Sequence, residues 1–312
     1  MRIESGELSY DWHEHWARIP DTETGRSNGR THGVVVSRSG DVIVFCQAQP
    51  AVLRFSGEGK LKNAWGDRFR GAHGMTLVQE DGQEFLWLTD QHSTEVVKTT
   101  LDGRTCQNIN KPDVAYPRGG AFVPTWVAVN EERFGGNGDI WVADGYGASL
   151  VHRFRKDGKY LATINGTEGS AGKFSCPHGI MFDYRSEGPE LYITDRANKR
   201  IQVYSPEGKF LRAFGEDFLT HPCALAFDAK TNQLVIPDLY GRVTVADRSD
   251  TLIGHLGANE GIEKAPAWPN LPPEQIHPGK FNSPHGAAVS PNGNIYVVEW
   301  IVGGRIIQLS RV

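Results

Sequence analysis

The stretch Pro177–Gly215 reads PHGIMFDYRSEGPELYITDRANKRIQVYSPEGKFLRAFG, four short apolar runs set off by turn residues. His178-Gly179 opens the first run, Ile180-Met181-Phe182. The second, Leu191-Tyr192-Ile193-Thr194, ends in Asp195. The third, Ile201 to Tyr204, leads into a Glu207-Gly208 turn, and the fourth ends at Phe214-Gly215. Alternating runs of this length, punctuated by Gly- and Asp-containing turns, read as antiparallel strands.

The same order recurs along the chain. Strand entries with histidine are found at His32, His73, His178, His221 and His285, and a sixth entry carries Thr125. Second runs end in Asp90, Asp144, Asp195, Asp238 and Glu299, and third runs end near Asp102-Gly103, Asp157-Gly158 and Glu207-Gly208. Four strands per unit at a spacing of roughly 40–50 residues predict an all-β six-bladed β-propeller. The last unit lacks a fourth strand. A segment at about residues 7–20 precedes the first entry and is expected to supply that strand and close the ring, removing exposed sheet edges. No linker interrupts the repeats, so residues 1–312 are read as one domain. Residues 258–281, rich in proline, form a long insertion before the last blade, expected as a surface loop or lid.

The chain has 39% apolar and 22% charged residues, enough for a core. Its net charge is −4 with no basic block, which argues against nucleic acid as a partner. No apolar run reaches membrane-spanning length and no signal region is seen, so a cytoplasmic location is the default expectation, with no membrane partner. Cys46, Cys106, Cys176 and Cys223 lack Cys-x-x-Cys spacing and are expected as four buried thiols.

Because strand direction alternates, the entry of strand one and the exit of strand two share a rim. The residues after each acid, including His92, Tyr146, Arg196, Tyr240 and Trp300, therefore belong with the entry histidines. First strands line the channel of a propeller, so the imidazoles are expected to converge there. Histidine before glycine could instead cap a turn through a neighbouring carbonyl, but a turn does not need imidazole five times in register. Neutral imidazole suits zinc and other borderline divalent ions. The acids are expected to bond backbone amides of their own turns, and the Trp and Tyr residues of the second strands to pack between blades.

These motifs resemble the NHL-repeat propellers, and among them the catalytic core of peptidyl-α-hydroxyglycine α-amidating lyases. The likeness is strongest from Pro124-Thr125 through Asp144-Gly145-Tyr146-Gly147 and from Pro177-His178 through Tyr204. It implies a catalytic zinc on His73, His178 and His285, a catalytic tyrosine at Tyr146, and active-site arginines at Arg196 and Arg30. The sequence departs from that pattern at Gly286, where the family has a calcium-binding Asp, at Ser283, where it has Met, and at Gly147, where it has a disulfide Cys. His32 and His221 are extra imidazoles, and if they join the shell, iron, manganese or nickel become credible. The resulting expectation is a metal-dependent lyase or hydrolase acting on a small polar molecule. The alternatives are a non-catalytic NHL binding platform and a gluconolactonase-like hydrolase, for which Glu299 is the lone hint.

Overall fold

The computed structural model describes residues 1–116 and 120–312. The chain forms six antiparallel sheets, the blades of an all-β six-bladed β-propeller. They fall into two compact units, Met1–Arg70 with Asp217–Val312, and Gly71–Glu216.

The first unit holds three blades. Blade 1 is Thr31–Val36, Val42–Cys46, Val52–Phe55 and Leu61–Trp65. Blade 5 is Ala226–Asp228, Gln233–Asp238, Arg242–Ala246 and Leu252–Leu256. Blade 6 combines Pro284–Val289, Ile295–Glu299 and Arg305–Arg311 with the N-terminal strands Leu8–Ala17 and Arg2–Ser5. The second unit holds blade 2 (Ala72–Glu80, Gln83–Asp90, Glu95–Thr100, Thr105–Ile109) and blade 3 (Trp126–Val129, Ile140–Asp144, Leu150–Phe154, Tyr160–Ile164). Its third sheet is blade 4 (Pro177–Asp183, Glu190–Asp195, Arg200–Tyr204, Phe210–Phe214).

Second strands are buried on both faces. Val42–Cys46, Ile140–Asp144 and Ile295–Glu299 are buried at every position, which is why they read as unbroken apolar runs. The period of two divides their side chains between neighbouring blades. Ile295 and Val297 join Val235, Val243 and Leu256 in one cluster, whereas Tyr296 and Val298 join Val34, Val44 and Leu53 in another. In the second unit Trp87 packs with Val127, Ile140 and Phe154. The aromatic residues of the second strands thus fill the space between blades, as expected.

The N-terminal segment completes blade 6, with Tyr10 opposite Arg311, Trp12 opposite Leu309 and Ala17 opposite Ile306. A second N-terminal strand, Arg2–Ser5, folds back on it around Gly6, so the blade has five strands where the sequence reading foresaw four. Burial fixes this closure chemically. Arg305 donates from Nε and Nη2 to the two carboxylate oxygens of Glu14 at 2.7 and 2.8 Å, and from Nη1 to Glu299 Oε2 at 2.6 Å. Burial acts against the charge of Arg305, but Glu299 and Glu14 more than offset it and raise its pKa.

The insertion before blade 6 carries only two short 3-10 turns, Ile262–Lys264 and Pro273–Gln275. All four cysteines are free, but only Cys46 and Cys223 are buried. Cys106 is exposed because it lies on the outermost strand of blade 2, and Cys176 is half-buried just before the first strand of blade 4, so the expectation of four buried thiols is corrected at both. Among the described residues no helix is long and apolar enough to cross a membrane.

Two outcomes follow from this packing. Arg305→Ala leaves two carboxylates without their cation and is expected to cost about 3–5 kcal/mol, read as a lower urea midpoint at unchanged slope. A thiol reagent on the native protein is expected to label Cys106 first and to spare Cys46, whose thiol burial pushes up to about 12.

Candidate active site

Each entry loop is tied to the end of the second strand of its own blade. Asp90 Oδ2 accepts the amide of Gly71 at 2.9 Å, and Asp144 Oδ1 accepts that of Val123 at 2.7 Å. Asp195 Oδ1 accepts from Ser175 at 2.7 Å. Asp238 accepts the amides of Thr220 and His221, and Glu299 Oε1 accepts those of Asn282 and Ser283 at 2.6 and 2.8 Å. Asp90 also receives the amides of His92 and Ser93, the turn role expected from sequence. The acids therefore do more than begin a turn, since they fix the segment just ahead of each entry residue. Blade 1 has no acid there. Cys46 stands in its place opposite Thr31, and the next residue, Gln47, ties the entry by its backbone, donating its N–H to Arg30 O at 2.8 Å and accepting from Gly29 N–H at 3.3 Å.

A second set of bonds orients the imidazoles. In the second unit His73 Nδ1 donates to Thr125 O at 2.7 Å, and Thr89 Oγ1 donates to the same carbonyl at 2.9 Å. Thr89 Oγ1 also accepts the amide of Gly74 at 2.8 Å, and Thr194 does the same for Gly179 at 2.7 Å. Glycine must follow the histidine because a Cβ on Gly74 would lie 2.4 Å from Thr125 O. In the first unit His285 Nδ1 donates to His32 O at 3.1 Å, and a Cβ on Gly286 would lie 2.3 Å from that oxygen. The histidine-to-carbonyl bond weighed against metal binding is thus present, but it uses Nδ1 and directs Nε2 elsewhere.

In the second unit four predicted site residues meet. The rings of His73 and His178 lie 4.7 Å apart, and the Tyr146 hydroxyl sits 3.1 Å from His73 Nε2 and 3.0 Å from His178 Nε2. Arg196 Nη1 donates to the same hydroxyl at 3.3 Å, and its guanidinium lies 5.2 Å from the Tyr146 ring centre. With Nδ1–H of His73 on a carbonyl, His73 Nε2 holds a lone pair that accepts from the phenol, and Arg196 donates to the phenol oxygen. Tyr146 itself is 38% exposed. Its loop is held by two glycines: a Cβ would lie 2.2 Å from Pro177 O at Gly145 and 2.0 Å from Ala121 O at Gly147. At Gly147 the close approach of backbone fills the place where the family has a cysteine.

In the first unit His32 and His285 lie edge to face at 4.5 Å. His221 stacks on Tyr240 at 4.6 Å, and Arg30 lies over Trp300 at 5.5 Å. His92 is an exposed turn residue. Gly286 offers no carboxylate and no room for one, so a calcium held from that position does not fit.

Three features escaped sequence reading. Thr89 and Thr194 anchor the His-Gly amides, and the signal was the repeated Thr-Asp at the strand end. In blade 1, Cys46 sits where the sixth acid is missing. His152, fully buried on the third strand of blade 3, bonds Thr163 Oγ1 at 2.8 Å and sets Nε2 3.6 Å from Asp144 Oδ2; a lone histidine in a strand gave no cue.

No protein-family model matches the chain. Its homologues include peptidyl-alpha-hydroxyglycine alpha-amidating lyase 1 of Drosophila melanogaster, 28% identical over 276 residues covering 77% of this chain and 45% of that protein. They also include NHL repeat-containing protein 3 of Homo sapiens, 26% identical over 242 residues covering 72% and 65%. The chain thus spans about half to two thirds of the length of these curated relatives. Among solved structures, a streptogramin B lyase is similar with a TM-score of 0.63 and 13% identity over 97% of this chain and 98% of that one. A putative gluconolactonase gives 0.63 and 16% over 97% and 92%. Both likenesses are of fold.

Gly74→Ala forces a Cβ against Thr125 O and is expected to cost about 1–3 kcal/mol, measured as a drop in thermal midpoint; an unchanged midpoint would contradict the tight seating of His73.

Proposed function

We propose that the chain is a metal-assisted lyase or hydrolase acting on a small polar molecule. The observation that carries this reading is the Tyr146 hydroxyl set between the Nε2 atoms of His73 and His178, at 3.1 and 3.0 Å, with a guanidinium nitrogen at 3.3 Å. The donor chemistry fits a divalent ion. His73 is fixed by its Nδ1–H bond in the tautomer that presents Nε2, the usual restraint on a ligating imidazole. The family likeness assigns the third ligand to His285, which has the same Nδ1-to-carbonyl restraint within its own unit. A bound ion, zinc first with iron, manganese or nickel as alternatives, would supply Lewis-acid polarisation of a substrate oxygen or a water of lowered pKa.

The remaining roles belong to the chain's own side chains. Tyr146 exchanges a proton at its phenol oxygen with the substrate or a water. Arg196 donates into that oxygen at 3.3 Å. The same guanidinium is placed to hold a carboxylate or developing oxyanion. Arg30 is carried over from the family likeness as the second anion-holding guanidinium. The amidating-lyase relatives support the lyase class and leave the substrate open.

Two other readings differ in their support. A non-catalytic binding platform predicts no turnover and no dependence on metal. The gluconolactonase reading had Glu299 as its hint, and that carboxylate is occupied by two backbone amides and Arg305.

Elemental analysis tests the ligand set. His178→Ala and His285→Ala are each expected to lower bound metal by about tenfold or more, and wild-type metal content in either would remove that residue from the set. Tyr146→Phe is expected to keep its metal while losing about 10²–10⁴-fold in turnover against a panel of small hydroxy acids, esters and lactones, and equal turnover would dismiss the phenol.

A further inference from the structure

The first unit carries a second feature, of which the proposed chemistry uses Arg30 alone. Four rings and one guanidinium follow one another in contact. His221 stacks on Tyr240 at 4.6 Å, Tyr240 meets Trp268 at 5.7 Å and 75°, Trp268 meets Trp300 at 6.1 Å and 63°, and Arg30 lies over Trp300 at 5.5 Å. Tyr240 and Trp300 come from the exits of second strands in blades 5 and 6. Trp268 comes from the insertion, and two bonds to Asn282 hold it in place: Trp268 Nε1 donates to Asn282 O at 3.0 Å, and Asn282 Nδ2 donates to Pro269 O at 2.7 Å. Each of these three aromatics is only half-buried, unlike Trp87, Trp141 or Tyr192, which are enclosed between blades. A loop pinned so as to keep an indole half in water forgoes part of the burial that, when complete, is worth about 1.5–3 kcal/mol for a large apolar side chain.

Arg30 completes the feature. Arg54, Arg242, Arg305 and Arg311 of the same unit each pair with a carboxylate. Arg30 has no such partner among the described residues; its Nη1 bonds Asn28 Oδ1 at 2.7 Å, and its buried Nε has no hydrogen-bond partner. Burial alone pulls its pKa down, with no anion to oppose it. A guanidinium fork beside an indole face is the arrangement that receives a carboxylate attached to a flat ring, and its charge disfavours a cationic ligand.

We propose that Tyr240, Trp268, Trp300 and Arg30 form a binding site for an aromatic carboxylate, the ring lying against the indoles and phenol and the carboxylate on the free donors of Arg30. The site goes beyond the metal reading and does not rest on it, because binding is measured at equilibrium without turnover. The experiment is calorimetric titration of the full chain with phenylacetate, cyclohexylacetate and phenylacetamide. Phenylacetate is expected to bind about tenfold more tightly than either comparison probe. Trp268→Ala and Tyr240→Leu, on separate segments, are each expected to weaken phenylacetate by about tenfold, with Trp268→Phe recovering most of the loss. Arg30→Gln is expected to abolish the preference for phenylacetate over phenylacetamide. Equal affinity for the three probes, no measurable binding of phenylacetate, or wild-type affinity in both Trp268→Ala and Tyr240→Leu would overturn the site.

Discussion

Buried carboxylates at the ends of the second strands are the constraint on which the rest of the molecule depends. Asp90, Asp144, Asp195, Asp238 and Glu299 each accept the amides of the segment just before an entry residue. A free backbone N–H buried at that place would cost about 1–3 kcal/mol, so the bond both stabilises the blade and fixes where the entry side chain begins. The neighbouring blade's entry carbonyl then sets the direction of the imidazole, as Thr125 does for His73 and His32 does for His285. Position comes from the acid and orientation from the carbonyl. A chemical centre built this way needs no contribution from flexible loops.

Much of this could be read in the sequence because its causes are local or periodic. The alternation in Leu-Tyr-Ile-Thr-Asp195 reports a strand buried on both faces, and the recurrence of His-Gly reports a register. The N-terminal segment was legible as the partner of the last blade because blade 6 lacked a strand. Other features were not legible because their causes are tertiary. Nothing in the order of residues says that Thr125 O comes within 2.4 Å of a Cβ at Gly74. The exposure of Cys106 follows from its place on an outer strand rather than from its neighbours in sequence. The meeting of Tyr146 with His73 and His178 was expected from the family likeness, but the shared hydroxyl is a distance that only coordinates give.

The two units contribute different chemistry. The Gly71–Glu216 unit groups two imidazoles, a phenol and a guanidinium around one oxygen, a set suited to proton transfer beside an ion. The Met1–Arg70 and Asp217–Val312 unit holds the His32–His285 pair and a half-exposed aromatic row ending in a guanidinium that pairs with no carboxylate among the described residues. Where this chain departs from the amidating-lyase pattern, the departures are structural choices. Gly147 and Gly286 stand where side chains would collide with Ala121 O and His32 O. Close backbone packing at both positions leaves no room for a side chain.

The central claim is that His73 and His178 ligate a divalent ion beside Tyr146. Anomalous diffraction from crystals of the protein purified without chelator tests it most directly. The account predicts a peak about 2.0–2.1 Å from the Nε2 atoms of both His73 and His178, with absorption-edge scans naming the element. A Tyr146 hydroxyl still seated between the two rings, with no anomalous peak beside them after soaking in zinc, would contradict it.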